Sequence, residues 1–196
     1  MTTGPDVEHK GAGAFDEIDR RLAELDGLEI HVGFQGQSAL EVRRPAPATP
    51  SKRKTTIVRK IRRLLRGRAR AIRLVDIATI HEFGAPGAGI PERSFMRSTF
   101  DEKRKSLQGH MAAAIKLVMQ GRPVSLAVGR VGVALQGYIQ AKIVDLKEPP
   151  LAPSTIRARM RRTGDANPNP LVDTGQLKNG VRYIITRNGR RIDGDD

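Results

Sequence analysis

Two long helical patterns, separated only by a short break around Pro123, constrain most strongly what this chain can fold into. The first runs from Glu92 to Gly121 and the second from Val124 to Ile143, and both repeat apolar residues every three or four positions. Pro123 cannot continue the first helix and suits the start of the second. Because short connections join antiparallel neighbours, the two patterns predict a long helical hairpin.

Shorter patterns on either side predict the rest of the fold. A short amphipathic helix is expected from Phe15 to Leu25, closed by Gly27, and residues 28–34 alternate as a half-buried strand does. A second strand is expected over Val181–Ile185. Together these elements predict an α+β fold in which a small antiparallel sheet packs on the helical hairpin, with extended arms and loops.

Four further segments complete the expected organisation. Residues 1–13 are predicted to be a flexible arm, 14–187 a single domain with a basic insertion at about 42–73, and 188–196 a disordered tail. The proline-rich residues 35–51 indicate a linker. Helices are expected over residues 74–83, ending at Gly84, and over residues 155–162, capped by Ser154. Residues 163–169 are expected to be flexible.

Composition favours a subunit of an assembly over a compact monomer. Only 38% of the residues are apolar, and 20 glycines and 12 prolines indicate many loops that order against partners. The absence of cysteine excludes disulfides and thiolate metal sites. The N-terminus lacks a signal peptide, and the apolar stretch 124–146 is too polar to span a bilayer, so a soluble protein made in the cytoplasm is expected, without a membrane partner.

Charge is concentrated in one segment. The chain carries a net charge of +14, but eleven of the 22 residues from 52 to 73 are basic and none is acidic, so the remainder carries only +3. Such a tract attracts polyanions and predicts DNA first, with an acidic protein neighbour or a solvated helix face as alternatives. The candidate residues facing DNA or an acidic partner are Lys52, Arg53, Lys54, Arg59, Lys60, Arg62, Arg63, Arg66, Arg68, Arg70 and Arg73.

Catalytic patterns are weak in this sequence. Asp173-Thr174-Gly175 follows an apolar pair, as the catalytic aspartate of aspartic peptidases does, but only 21 residues remain after it, and a tight turn is favoured. His81-Glu82 would begin a zinc-peptidase motif only if position 85 were histidine, and it is Ala85. The sequence therefore predicts no enzymatic activity, no metal and no cofactor.

Two strings of residues resemble a known family. The first is Ile77-Ala78-Thr79-Ile80-His81-Glu82-Phe83-Gly84 followed by Ile90-Pro91-Glu92-Arg93-Ser94-Phe95-Met96-Arg97. The second begins at Pro150-Leu151-Ala152-Pro153-Ser154-Thr155-Ile156 and continues at Pro170-Leu171-Val172-Asp173-Thr174-Gly175-Gln176-Leu177. In this order, over about residues 28–186, they resemble the tail-completion or neck proteins of tailed bacteriophages, which include the minor tail protein Z group of lambda-like phages and the virion morphogenesis proteins of Mu-like phages.

The resemblance implies a structural virion protein that forms a ring at the head–tail junction, completes the tail and joins it to the DNA-filled head. It implies as partners further copies of the chain, with sixfold symmetry expected, head-closure or connector proteins, tail-tube or tail-terminator proteins, and the packaged double-stranded DNA without sequence specificity. The expected location is the neck of the virion, after synthesis in the bacterial cytoplasm. An independent DNA-binding or packaging accessory protein is the alternative.

The matching residues are expected to serve the scaffold or an interface. Phe83 and Phe95 are predicted to anchor the loop between them over the core, and Gly84 to make a left-handed turn. Pro91 is predicted to stiffen the entry to the long helix, with Arg93 and Arg97 on its first turns and available to a neighbour. Asp173 and Gly175 are predicted to shape the turn into the last strand. The full set of scaffold or interface candidates is His81, Glu82, Phe83, Gly84, Pro91, Arg93, Phe95, Arg97, Asp173, Thr174 and Gly175.

Overall fold

The chain has an α+β fold, and its computed structural model describes residues 12–34, 73–164 and 166–192. In chain order the elements are α1 (Ala12–Ala23), β1 (Leu28–Phe34), α2 (Leu74–Phe83), α3 (Met96–Met119), α4 (Val124–Asp145), α5 (Pro153–Thr163), α6 (Gln176–Gly180), β2 (Val181–Arg187) and β3 (Arg190–Arg191). None of the helices in these ranges combines the length and apolar character that crossing a bilayer requires.

The chain divides into two compact units, each assembled from separate stretches of sequence. The hairpin unit comprises residues 1–33, 95–145 and 181–196, and the motif unit comprises residues 34–94 and 146–180. The chain therefore passes from one unit to the other four times. The single domain predicted over residues 14–187 stays a prediction.

The hairpin unit confirms the predicted pair of long helices with the sheet packed on it. Its core is formed by Ala114 and Val118 of α3, a row of residues on α4 that includes Ala127 and Val131, and Ile185 of β2. Gly121, with a φ of 82°, turns the chain between the two helices. Ala127, Ile139 and Ile143 of α4 are fully buried, and this burial of apolar area is the main stabilising term of the unit.

The sheet is antiparallel with the strand order β1-β2-β3, so the C-terminal strand β2 lies in the middle. Leu28, Ile30 and Val32 of β1 are partly buried while the residues between them are exposed, as the alternation predicts. Residues 188–192 differ from the expected disordered tail. Asn188 and Gly189, both at positive φ, turn the chain so that Arg190 and Arg191 pair with the end of β2.

The motif unit contains α2, α5 and α6. Its buried apolar residues include Leu74 and Ala78 of α2, Leu171, and Leu177 of α6. Gly180 allows a close approach, because a Cβ there would overlap Leu74 and lie 3.3 Å from Cδ1 of Phe34. Phe34 and Leu74 therefore lie beside the same point, although 39 residues separate them in sequence.

Two helix boundaries differ from the sequence expectation, and one helix was not expected. The long helix begins at Met96 instead of Glu92, because the residues before it bond back to α2. The N-cap of α5 is Ala152 instead of Ser154, since Pro153 already occupies the first turn, where its missing N–H is harmless. Helix α6 was not predicted, because only five residues form it.

Other predictions lie wholly or mainly outside the described residues. They are the flexible arm, of which Ala12 and Gly13 belong to α1, the linker 35–51, and the basic insertion up to residue 72.

Candidate functional site

The first polar cluster of the motif unit lies in a loop that folds back onto the end of α2. Gly84 starts the loop at a φ of 72°, and a Cβ there would approach the backbone nitrogen of Glu92 to 2.8 Å. The amide of Arg93 donates to the carbonyl of His81 at 2.7 Å, and the Ser94 hydroxyl donates to the buried Glu82 carboxylate at 2.8 Å. Gly84 therefore has the positive φ that the predicted left-handed turn requires, but its ψ of 174° is extended, so the turn itself is not left-handed.

Arg93 joins the two strings of residues that carry the family resemblance. Its side chain is only 4% exposed, and it donates from Nε to the carbonyl of Pro149 at 2.7 Å and from Nη2 to that of Pro150 at 2.9 Å. The predicted position on a helix turn, available to a neighbour, is wrong for Arg93. The residue precedes α3 and holds residues 149–150 to the loop that follows α2.

Arg159 forms a second buried cluster, which the sequence analysis missed. From α5 its Nη1 donates to the carbonyls of Asn167, Asn169 and Val172 at 2.7–3.1 Å, and Nη2 donates more weakly to that of Pro170 at 3.4 Å. These contacts tie down the described part of the segment that was expected to be flexible. Arg159 is one of four arginines between residues 157 and 162, so no pattern distinguished it in advance.

Asp173 is held in an ion-pair network. Arg162 donates from Nη2 to both carboxylate oxygens at 2.6 Å, and Nε of Arg159 lies 3.5 Å from Oδ1. The carboxylate thus contacts two guanidinium groups, whereas the catalytic aspartate of a peptidase dyad faces a second carboxyl group. Gly175 takes the predicted positive φ, 77°, beside the exposed Thr174, but the chain continues into α6 and not directly into the last strand.

His81 lies close to two buried arginines of the motif unit, Arg93 and Arg159. Burial lowers the pKa of its imidazole, and the nearby charges of Arg93 and Arg159 lower it further. Its Nδ1 is buried and has no hydrogen-bond partner among the described residues. Within the same residues, no group of three His, Cys, Asp or Glu side chains is arranged to hold a metal ion.

The remaining candidates from the first string occupy different environments. Phe95 is fully buried, as predicted, but Phe83 is 60% exposed and does not anchor the loop in the core. Phe83 instead borders an open depression together with Pro86, Ile90 and Pro91. Arg97 lies exposed on the first turn of α3, in agreement with its expected surface position.

Of the eleven basic candidates, Arg73 alone falls among the described residues. Its backbone N–H and its guanidinium both donate to the Asp76 carboxylate, at 3.1–3.3 Å, so that Arg73 and Asp76 together cap α2. A DNA phosphate would have to compete with Asp76 for this guanidinium. The other ten candidates lie outside the described residues, and their role stays a prediction.

Comparisons with known proteins leave the family resemblance untested. No family model, no curated protein and no solved structure matches the chain.

Proposed function

We propose that this protein is a structural subunit of a ring at the head–tail junction of a tailed bacteriophage, where it completes the tail and joins it to the head. The observation that carries the proposal is the bond from Arg93 to the carbonyls of Pro149 and Pro150. These hydrogen bonds connect the two strings of residues that carry the family resemblance. The strings are far apart in sequence and resemble neck proteins only when taken together.

The frame of this unit suits a structural role. The buried Arg93 and Arg159 donate hydrogen bonds to loop carbonyls, and Asp173 forms an ion pair with Arg162. These polar side chains therefore stabilise the fold of the chain itself. Several large apolar side chains, by contrast, are exposed on the surface. Phe15, Met111 and Val133 of the hairpin unit are each more than half exposed, which favours burial against further subunits.

The basic segment is inserted between two residues that lie close together in the motif unit. Phe34 precedes residues 35–73 and Leu74 follows them, and both side chains lie beside Gly180. A segment whose two ends lie close together can vary in length and sequence without changing the fold of the residues around it. In a ring around the DNA passage, its positive charge would face the duplex or an acidic neighbouring ring.

Imaging of intact particles by electron cryomicroscopy tests the proposal. We expect density for this chain in a closed ring between head and tail, with Arg62, Arg66 and Arg70 turned toward the axial DNA or an acidic protein wall. Purified particles should contain the chain at a fixed number of copies. Particles that lack the chain and still possess joined heads and tails would contradict the proposal.

An independent DNA-binding or packaging accessory protein is the second candidate, and the concentration of charge in residues 52–73 favours it. Such a protein should bind duplex as a monomer at about 0.1 M salt, with an affinity that falls as salt rises. A ring subunit should show little duplex affinity as a monomer and should co-purify with particles. Fluorescence anisotropy with a labelled duplex, across a salt series, distinguishes the two.

A further inference from the structure

Helix α1 carries an apolar stripe that no described residue covers. Phe15, Ile18 and Leu22 recur at helical spacing on one face, and they are 69%, 38% and 47% exposed. The helix is nonetheless fixed in place near its C-terminal end. Nη1 of Arg21 donates to the carbonyl of Val118 at 3.1 Å, and Leu25, just beyond the helix, packs on the core of the hairpin unit.

Two carboxylates border this stripe. Asp16 and Asp19 are exposed and form no ion pair with any described residue, whereas Glu17 pairs with Arg20 and Arg21. Asp19 stands one turn after Phe15, so it flanks the apolar face directly. The surface presented by α1 is therefore apolar along its centre and negative along one side, and it fits a partner helix of the opposite charge.

The chain itself contains such a partner sequence. Residues 57–72 place Ile57, Ile61, Leu64 and Leu65 at helical spacing among arginines and lysines, without any acid. As a helix this stretch would extend about 24 Å, somewhat longer than the about 18 Å of α1. Its apolar stripe and its positive charge are complementary to the two properties of the α1 surface.

We propose that α1 of one copy binds the basic segment, residues 57–72, of the next copy. The inference rests on the proposed ring, because it supplies the contact between neighbours. Two different surfaces that meet between copies form a head-to-tail interface, and such interfaces close into rings when the rotation permits. The basic face turned away from α1 would remain available to DNA or to an acidic neighbour.

A charge-swap experiment with two full-length variants tests this contact. The first variant, D16K/D19K, makes the border of α1 positive. The second changes six bases of the segment to glutamate, which takes residues 52–73 from +11 to −1; the six are Arg59, Lys60, Arg62, Arg63, Arg66 and Arg70. Sedimentation velocity measures self-association of each variant and of their equimolar mixture.

Each variant alone should associate about tenfold more weakly than the wild type or worse, since like charges then meet at the interface. Their mixture should recover association, because every contact in an alternating assembly again joins opposite charges. A segment that instead folded onto α1 of its own chain would not be rescued by mixing, and neither would a segment that binds only DNA. The matched control D101K/D145K changes two exposed carboxylates on other helices and should associate as the wild type does.

The outcomes separate this contact from the proposed function. Variants that both associate like the wild type overturn the contact, even if particles still contain the chain in a neck ring. Recovery on mixing supports the contact, even if imaging finds the chain elsewhere than in the neck. Circular dichroism on each variant shows whether lost association reflects the interface or an unfolded chain. The variant F15A provides a second test, because it removes an exposed apolar side chain from α1 without changing charge and should weaken self-association.

Discussion

At the scale of single residues, two buried arginines replace the backbone partners that the loops of the motif unit lack. Buried carbonyls need a hydrogen-bond donor, and helices or strands normally provide it. Residues 146–152 and 166–175 form no such element, so Arg93 and Arg159 donate to their carbonyls instead. A guanidinium suits this role because its donors point in several fixed directions from one planar group.

Replacing Arg159 with lysine should therefore lower the free energy of unfolding by about 2–4 kcal/mol. Lysine has a shorter side chain and one nitrogen in place of three, so it cannot occupy the position of Nη1 and also replace the Nη2 bond to Pro170 and the Nε contact with Asp173. Partly buried acceptors are then left without donors. Urea denaturation followed by circular dichroism measures the change. Arg157→Lys, on the exposed side of the same helix, is the control and should change stability by less than about 0.5 kcal/mol.

His81 should make stability depend on pH. Burial and the charges of Arg93 and Arg159 lower its pKa in the folded chain, so the unfolded chain binds more protons once the pH falls below the ordinary value of about 6.5. Stability from His81 is then present above that pH and decreases as the pH falls toward the lowered pKa. His81→Gln should flatten the dependence on pH, measured by urea midpoints between pH 5 and 8; equal slopes in both proteins would contradict the assignment.

Sequence patterns predicted residues whose role depends on the local backbone and missed those whose role depends on distant partners. The glycines at positions 84 and 175 and the buried Phe95 follow from turn chemistry and hydrophobicity. The structure gives both glycines a positive φ and buries Phe95. Arg93 was placed on a helix surface because its partners, the carbonyls of Pro149 and Pro150, lie more than 50 residues away. No local pattern contains that information.

At the scale of secondary structure, the long helices and the strand β1 were predictable because their apolar periodicity is regular. The start of α3 was not, since the bonds of Arg93 and Ser94 to α2 override the helical pattern that begins at Glu92. The short strand β3 has two arginines and no apolar residue. Its pairing depends on the turn at Asn188 and Gly189, which adopt positive φ, and on the neighbouring strand.

Two glycines of α4 should respond oppositely to the same substitution. A Cβ at Gly132 would overlap the ring of Tyr183, with Cγ at 2.8 Å, so Gly132→Ala should destabilise the chain by about 1–3 kcal/mol. Among the described residues, no atom outside the neighbouring backbone of α4 lies within 4 Å of a Cβ at Gly137, so Gly137→Ala should stabilise the helix by up to about 1 kcal/mol. Thermal and urea unfolding of both variants measures the difference; equal effects would contradict the close packing of Tyr183 on α4.

At the scale of the whole molecule, the α+β class and the sheet on the helical hairpin were predictable, but the division into two units was not. Each unit combines stretches that are separated in sequence, and periodicity carries no information about such pairings. The convergence of Phe34 and Leu74 at Gly180 likewise appears only in three dimensions.

That convergence predicts that the insertion is dispensable for folding. Replacing residues 36–72 with an eight-residue Gly/Ser linker should leave the helical content and cooperative unfolding intact, and the shorter loop should change the free energy of unfolding by only about 1 kcal/mol. Self-association should be lost. Circular dichroism, urea unfolding and sedimentation velocity measure these properties. A variant that fails to fold would show that residues 36–72 are required for the fold.

The central position of β2 has a consequence for how the protein is made. Strand β1 leaves the ribosome early, but the strand it pairs with follows roughly 150 residues later, which at usual translation rates is a delay of about 7–30 s. Throughout that interval the growing chain exposes an unpaired strand edge, and the hairpin unit lacks Ile185 from its core. Folding of this unit therefore waits until β2 has been made, and nascent chains that stop before residue 181 should depend on chaperones to remain soluble.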